Sequence, residues 1–289
     1  MDFLRPVTWA EALEVKAERP DARPIAGGTD LMVELNFGTT RPTALLDLTR
    51  IDELADWERA GERLRIGAGV SYARVVGELG DLLPGLAIAA RTVGSPQIRN
   101  RGTIGGNLGS ASPAGDAHPP LLASDATVEV ESVRGVRVLP IDGFFRRPKV
   151  NALAPDELIR AVRVDRASGP QQFAKIGTRN AMVIAVCSFA LALYPAGRRV
   201  GAGVGSAAPT PVRARAAEEF LSGALDWAGG GPVDEEVGRR FGALVAAAAS
   251  PIDDVRGTAG YRRHALAVMA RRTLAWAWHD YREAGTACA

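Results

Sequence analysis

At 289 residues, with 47% hydrophobic and 24% charged residues, the chain has the make-up of an ordinary globular protein, large enough for two domains. A formal net charge of +2, with both signs interspersed, excludes the one-sided basic character of nucleic-acid or membrane-surface binding. The two cysteines, Cys187 in an apolar run and Cys288 near the end, exclude a disulfide framework or a cysteine-held cluster, so iron–sulfur or zinc chemistry would belong to another chain.

Met1-Asp2-Phe3-Leu4-Arg5-Pro6 lacks the basic and apolar regions of a secretion signal, and the most apolar run, 181–193, is too short to span a bilayer. The chain reads as cytoplasmic. Thr8-Trp9-Ala10-Glu11 has the spacing of a capping box, and Trp9, Ala12, Leu13 and Lys16 share one face, which predicts a helix over 8–19. A short strand at 24–26, a helix over 30–35 and a strand over 44–48 complete a small βαβ-like unit. From residue 56 a second unit carries a strand at 64–66, a helix over 72–78 capped by Ser71, and a helix over 82–93 that stops before Gly94-Ser95-Pro96. Strands follow at 127–132 and 137–140, joined by a turn at Gly135, and at 158–164.

Ala167-Ser168-Gly169-Pro170 is the best linker, dividing the chain into 1–168 (with parts 1–55 and 56–168) and 169–289. Beyond it, strand-like runs at 172–177, 183–194 and 199–205 give way to helices from residue 212. That order predicts an α+β domain, a three-stranded sheet with helices stacked on one face.

Two glycine-rich segments, about 75 residues apart, interrupt runs that otherwise read as packed core. They are Ile25-Ala26-Gly27-Gly28-Thr29-Asp30-Leu31 and Thr103-Ile104-Gly105-Gly106-Asn107. Paired glycines let backbone N–H groups converge on an anion, and a following helix adds its positive end. A tight turn capped by Thr29 or Asp30 explains the first segment equally well. The second runs on to Asp116, and over 14 positions holds four glycines, two serines and a threonine. Such a composition disfavours helix and central strand, and predicts extended backbone laid along a ligand.

No G-x-x-x-x-G-K-[ST] motif is present, and Gly201-Ala202-Gly203-Val204-Gly205 has the wrong spacing for a dinucleotide fingerprint, so it reads as a glycine-rich strand end. His118, before Pro119-Pro120, reads as a loop residue. His264 and His279 read as helix surface, and Cys187 as inert core. Lys175 faces away from Ala174 and Ile176 on its strand; it is either solvated or functional. The pairs Arg146-Arg147, Arg198-Arg199, Arg262-Arg263 and Arg271-Arg272 read mostly as surface.

With these residues in place, nearly the whole chain resembles the FAD-binding medium subunit of molybdenum hydroxylases, the group of xanthine dehydrogenase, carbon monoxide dehydrogenase and related aldehyde or N-heterocycle oxidoreductases. Both glycine segments match the family's flavin loops in order, with Ser112-Pro113 and Asp116 at the family's spacing. Pro209-Thr210-Pro211-Val212-Arg213 and Tyr261-Arg262-Arg263 resemble its C-terminal motifs. The resemblance implies a two-part FAD-binding domain like that of p-cresol methylhydroxylase and vanillyl-alcohol oxidase. It implies that Pro24, Ile25, Ala26, Gly27, Gly28, Thr29, Asp30 and Leu31 bind the FAD diphosphate. Thr103, Ile104, Gly105, Gly106 and Asn107 would line phosphates and isoalloxazine, with Ser112 beside them. Asp116 would bond a polar part of the cofactor, Val93 and Ile159 would pack on it, and Lys175 would stabilise negative charge on the reduced ring.

The same resemblance implies partners: an iron–sulfur small subunit with [2Fe–2S] clusters and a molybdopterin large subunit, in a dimer of heterotrimers. Electrons would pass through FAD to NAD+ or another acceptor, and substrate would react elsewhere. Carbon monoxide enzymes typically carry His-Ser where Thr29-Asp30 stands, and Ala111-Ser112-Pro113 is closer to xanthine-type loops. The departure favours a purine or other heterocycle enzyme. A stand-alone flavoprotein, a cofactor-free scaffold and a nicotinamide-dependent enzyme are the competing readings.

Overall fold

The computed structural model describes residues 1–287, so Cys288 lies outside the described residues. Two compact units emerge, neither continuous in sequence. The first comprises Met1–Val75, Gly94–Ser112 and Ala126–Asp165; the second comprises Val76–Val93, Pro113–Asp125 and the described residues from Arg166 onward.

In the first unit, Ala44–Asp47 is the central strand of a parallel three-stranded sheet, flanked by Asp2–Leu4 and Arg23–Ile25. The helix Trp9–Glu18 connects the outer strands and buries Trp9, Ala12, Leu13 and Lys16, the face its spacing predicts. Thr8 Oγ1 accepts from Glu11 N at 3.2 Å, while Glu11 Oε2 reaches back to accept from Val7 N at 2.8 Å. Lys16 Nζ is buried and donates to Pro20 O and Ala22 O at 2.8 and 2.7 Å. Burial lowers its pKa.

The unit's second sheet is antiparallel, in the order Trp57–Ala60, Arg63–Gly67, Leu158–Asp165, Thr127–Ser132, Gly135–Pro140. Strict alternation buries Leu64, Ile66, Val128, Val130, Val162 and Val164 on one face. The other face carries Arg65, Glu129 and Arg163 side by side on three strands. Asp2–Leu4 and Trp57–Ala60 were not foreseen from the sequence; both are edge strands, with mostly exposed residues and little apolar alternation.

The second unit is built on an antiparallel sheet in the order Gln171–Ile176, Cys187–Tyr194, Arg199–Gly205, Val212–Arg213. The three predicted strands are present, and a two-residue edge strand makes a fourth. Cys187, Phe189, Leu191, Leu193, Val200, Ala202 and Val204 face the helices Arg215–Ala224, Glu235–Ala247 and Ala259–Ala287.

Helices cover the opposite face as well, which corrects the expectation of a single helical layer. There Phe173, Ala190 and Ala192 meet Ala89 of the helix Pro84–Arg91 and Ala123 of the helix His118–Ala123. Gly201 and Gly203 are why the second helix can lie so close. A Cβ at these positions would sit 1.9 Å from Ala123 O and 2.1 Å from Pro119 O. His118 is therefore no loop residue: it opens that helix and is fully buried. Paired prolines suit a first helical turn, where their missing N–H groups cost nothing.

Two arginines of the C-terminal motifs are buried anchors. Arg262 donates to Ser206 O and Asp254 Oδ1 at 2.7 and 2.6 Å, which corrects its reading as surface. Arg213 grips Glu218 through two bonds of 2.8 and 2.9 Å. Arg146, Arg147, Arg198, Arg199, Arg263, Arg271 and Arg272 are exposed.

Candidate functional site

In the first unit the strand Arg23–Ile25, carrying Pro24 and Ile25, leads through Ala26 into the first glycine pair and then the short helix Leu31–Asn36. Gly28 has φ +74°, a conformation that disfavours any side chain. Gly27 is demanded by packing: a Cβ there would lie 1.8 Å from Arg101 O. Asp30 stands at the helix cap but makes no cap bond; its carboxylate accepts from Ser110 Oγ at 3.0 Å. Thr29 Oγ1 lies 3.5 Å from the position a Cβ on Gly102 would take. The structure thus brings the two distant glycine segments together. Among the described residues, the N–H groups of Gly27, Gly28, Thr29 and Asp30 donate to no acceptor, giving four successive free donors.

The second segment departs from expectation. Ile104–Ser110 is a helix, not extended backbone. Three glycines inside it cost about 1 kcal/mol each relative to alanine. That cost is met locally by a cap, with Gly106 N donating to Thr103 Oγ1 at 2.9 Å, and by tertiary contacts. Ile104 N donates to Val70 O at 3.1 Å and Gly105 N to Ala68 O at 2.8 Å, while Ile104 and Leu108 are fully buried. Asn107 N is bonded to Thr103 O. The N–H groups of residues 104–107 are therefore used inside the fold and are not offered to a ligand.

Gly105 and Gly106 play different parts. A Cβ on Gly105 would lie 2.5 Å from Ala68 Cβ and 2.7 Å from Ala68 O, so glycine is a packing requirement. Gly106 is exposed, and its Cβ position meets only Thr103 Oγ1, at 3.0 Å. The bare surface at Gly106 is what a closely approaching ligand needs. Ile159 lies beneath this helix, its Cδ1 3.9 Å from the Cβ position of Gly109, and Ser112 is half-buried just past the helix end.

The second unit gathers Asp116, Lys175, Thr92 and the half-buried Val93. Lys175 Nζ donates to Asp116 Oδ2 at 2.7 Å and to Thr92 O at 3.2 Å, with both side chains of the pair nearly inaccessible. Lys175 faces away from Ala174 and Ile176, which pack on the helical core. Burial pushes the Asp116 carboxyl up to about 6, with Lys175 pulling the other way. Asp116 Oδ1 is buried and has no hydrogen-bond partner among the described residues. The carbonyl of Thr92 went unforeseen, because backbone groups leave no mark in a sequence.

Among the described residues, the histidines and the buried cysteine do not come together as a catalytic group. Among the described residues no group of three or more His, Cys, Asp and Glu could hold a metal. The Cys187 thiol is buried and pushed up to about 12, so it is unreactive. His264 and His279 are exposed on the helix Ala259–Ala287, where His279 Nε2 lies 3.1 Å from Glu283. What the sites offer instead is binding: a row of amide donors, a bare glycine surface, and a buried carboxylate beside an ammonium.

A family described as the FAD binding domain in molybdopterin dehydrogenase matches residues 1–166, and the CO dehydrogenase flavoprotein C-terminal domain matches residues 172–277. The nicotine 6-hydroxylase medium subunit of Paenarthrobacter nicotinovorans is 30% identical over 94% of this chain and 95% of its own length. The nicotinate dehydrogenase FAD-subunit of Eubacterium barkeri is 36% identical over 77% of this chain and 80% of its own. Among solved structures, a carbon monoxide dehydrogenase chain from Hydrogenophaga pseudoflava superimposes with a TM-score of 0.90. It shares 28% identity and covers 97% of this chain and 98% of that one.

Proposed function

We propose an electron-relay role for this chain, which belongs to the family of FAD-binding domains of molybdopterin dehydrogenases. It is an oxidoreductase subunit of the molybdenum hydroxylase family, and its cofactor is FAD. Bound FAD supplies a carrier that takes up electrons singly and passes them on in pairs.

The observation that carries the reading is the row of free N–H groups from Gly27 to Asp30, held by Gly28 in a turn no side chain favours. Successive amide donors with no protein acceptor fit the oxygens of a diphosphate. We assign the diphosphate to residues Pro24 to Leu31, with Gly28 shaping the turn and Gly27 seating it on the backbone of Arg101. Thr103 and the bare surface at Gly106 line the cofactor, while Ile104 and Gly105 fix the helix that presents them. Asn107 and Ser112 complete this side, and Ile159 supports it from beneath. In the second unit, Val93 supplies apolar contact, Asp116 an acceptor for a ring N–H, and Lys175 a positive charge that favours a reduced, anionic ring.

The rest of the system follows as part of this proposal. Electrons arrive from an iron–sulfur subunit, substrate is oxidised on a molybdopterin subunit, and NAD+ or another acceptor takes the electrons off. A xanthine dehydrogenase-like enzyme acting on an N-heterocycle is the favoured system. Two relatives named for nicotine and nicotinate support that class, and no residue of this chain would touch the substrate. The second reading, a carbon monoxide dehydrogenase flavoprotein, is favoured by the 0.90 superposition. We divide the chain functionally near residue 168, between the two matched segments. Its free buried thiol suits a complex working in the cytoplasm.

The test is purification of the chain with and without its neighbours. A flavin spectrum at one FAD per chain, and co-purification with an iron–sulfur and a molybdopterin subunit, are expected. A chain that neither carries nor takes up FAD overturns the reading, and turnover of xanthine, nicotine or CO by the complex decides the substrate.

A further inference from the structure

The two oxygens of Asp116 have unequal surroundings. Oδ2 is held at 2.7 Å by Lys175, itself anchored on Thr92 O, whereas Oδ1 is buried without a partner among the described residues. Lys175 comes from the strand Gln171–Ile176, and its neighbour in register is the uncharged Ser188. On the helix side, Thr92 offers only a carbonyl, and Arg91 is exposed. The same segment, Pro113–Asp125, also carries the buried His118, two residues on, and Asp125, which is paired with Arg199 and Arg213. Lys175 is thus the charge that acts on Asp116, and it neutralises one oxygen while leaving the other to a ligand.

The ring system of oxidised FAD carries one N–H donor, on its imide, between two carbonyls. With Oδ2 already accepting from Lys175, the proton of a neutral Asp116 carboxyl sits on Oδ1 and competes with the imide N–H there, whereas the carboxylate leaves Oδ1 free to accept it. We propose that FAD uptake by this chain is linked to ionisation of Asp116, with Lys175 as a positioning residue that holds the carboxylate ready. This rests on the FAD reading above and adds a proton to it. No bond within FAD forms or breaks: the proton passes from the Asp116 carboxyl to solvent as the imide N–H takes its place at Oδ1.

The direction follows from the surroundings. Burial raises the free carboxyl to about 6. A hydrogen bond to the carboxylate lowers that value in the complex. FAD therefore binds more tightly above pH 6 than below it. At pH 5 the free chain is roughly one-tenth ionised, so affinity falls about tenfold between pH 7 and pH 5.

Titration calorimetry of the flavin-stripped full chain, in buffers of different ionisation enthalpy, measures the proton directly. Release of about three-quarters of a proton per FAD at pH 5.5, and close to none at pH 8, is expected. Asp116→Asn should bind FAD more weakly at pH 7, with no pH slope and no proton release, while Asp116→Glu restores the slope. Should Asp116→Asn fail to fold, carboxyl NMR of the native chain takes its place: the Asp116 signal should titrate near 6 without FAD and lower with it. FAD binding with no proton release at pH 5.5, or an unchanged slope in Asp116→Asn, overturns the linkage alone. Absence of FAD binding at every pH overturns the FAD reading and the linkage with it.

Discussion

A Cβ on Gly27 would sit 1.8 Å from the carbonyl oxygen of Arg101, so the two glycine-bearing segments meet only because residue 27 has no side chain. The contact is backbone to backbone, and neither partner can rotate away as a long side chain would. Gly27→Ala should therefore force the segments apart and cost about 1–3 kcal/mol, read as a lowered urea midpoint. FAD uptake should fall with it, since the turn that presents four free amides rests on this seat. A variant with the wild-type midpoint would show that the two segments are not pressed together.

The paired glycines predict opposite phenotypes. Gly28→Val faces a φ of +74° and Gly106→Val would fill an exposed surface, so each should abolish FAD binding while leaving much of the fold intact. Gly105→Ala should behave the other way, because its Cβ would lie 2.5 Å from Ala68 Cβ: melting temperature falls first, and flavin is lost as a consequence. Absorbance of bound flavin set against thermal melting separates the classes. Stoichiometric FAD in both valine variants would reject the assigned cradle.

Much of this fold is legible in periodicity and punctuation. Thr8 and Glu11 mark a helix start, 127–132 and 158–164 alternate as sheet strands, and the strands around Cys187 and Gly203 follow in order. What escapes is structure held by partners remote in sequence. Residues 104–110 carry three glycines, which the local Thr103 cap alone does not offset; the carbonyls of Val70 and Ala68, remote in sequence, hold the first turn in place. The glycine-alternating strand gave no sign that a helix would lie on it, because the sign is the missing side chain itself. For the candidate site, the sequence marks the glycines but not how each is packed. Gly105 and Gly106 look alike in sequence, and only the neighbouring Ala68 tells them apart.

Glu129 gives a pH signature of the opposite sign to Asp116. It is buried, which pushes its carboxyl up, but bonds from Arg65 at 2.8 Å and Arg163 at 2.6 Å outweigh that and hold it below the usual range. A depressed folded-state pKa gives stability that is present above the unfolded value of 4.5 and lost as pH falls through the folded one. Glu129→Gln should cost about 2 kcal/mol at pH 7, less than the roughly 3–5 kcal/mol of a fully buried broken pair because both arginines keep some access to water. The penalty should shrink below pH 4.5 in parallel denaturation curves. A constant difference across that range would mean the carboxylate charge contributes nothing.

Gly203 and Gly238 make a pair of alanine substitutions with opposite expected signs. At Gly203 a Cβ would meet Pro119 O at 2.1 Å, and both sides of that contact are pinned. The strand Arg199–Gly205 is bonded on both edges, to Cys187–Tyr194 and Val212–Arg213. The segment leading to the helix His118–Ala123 is held by Ser206 N donating to Pro113 O at 2.8 Å, and the helix end by Tyr194 Oη donating to Ala123 O at 2.9 Å. With no room to retreat, Gly203→Ala should lose about 2–3 kcal/mol. Any shift it does force moves the segment carrying Asp116, so FAD affinity should weaken beyond the loss of stability. Gly238 lies inside the helix Glu235–Ala247 with nothing within 4 Å of its Cβ position, so Gly238→Ala should gain about 0.5–1 kcal/mol and leave FAD untouched. Equal and small effects at the two sites would refute the close seating of the His118–Ala123 helix on the sheet.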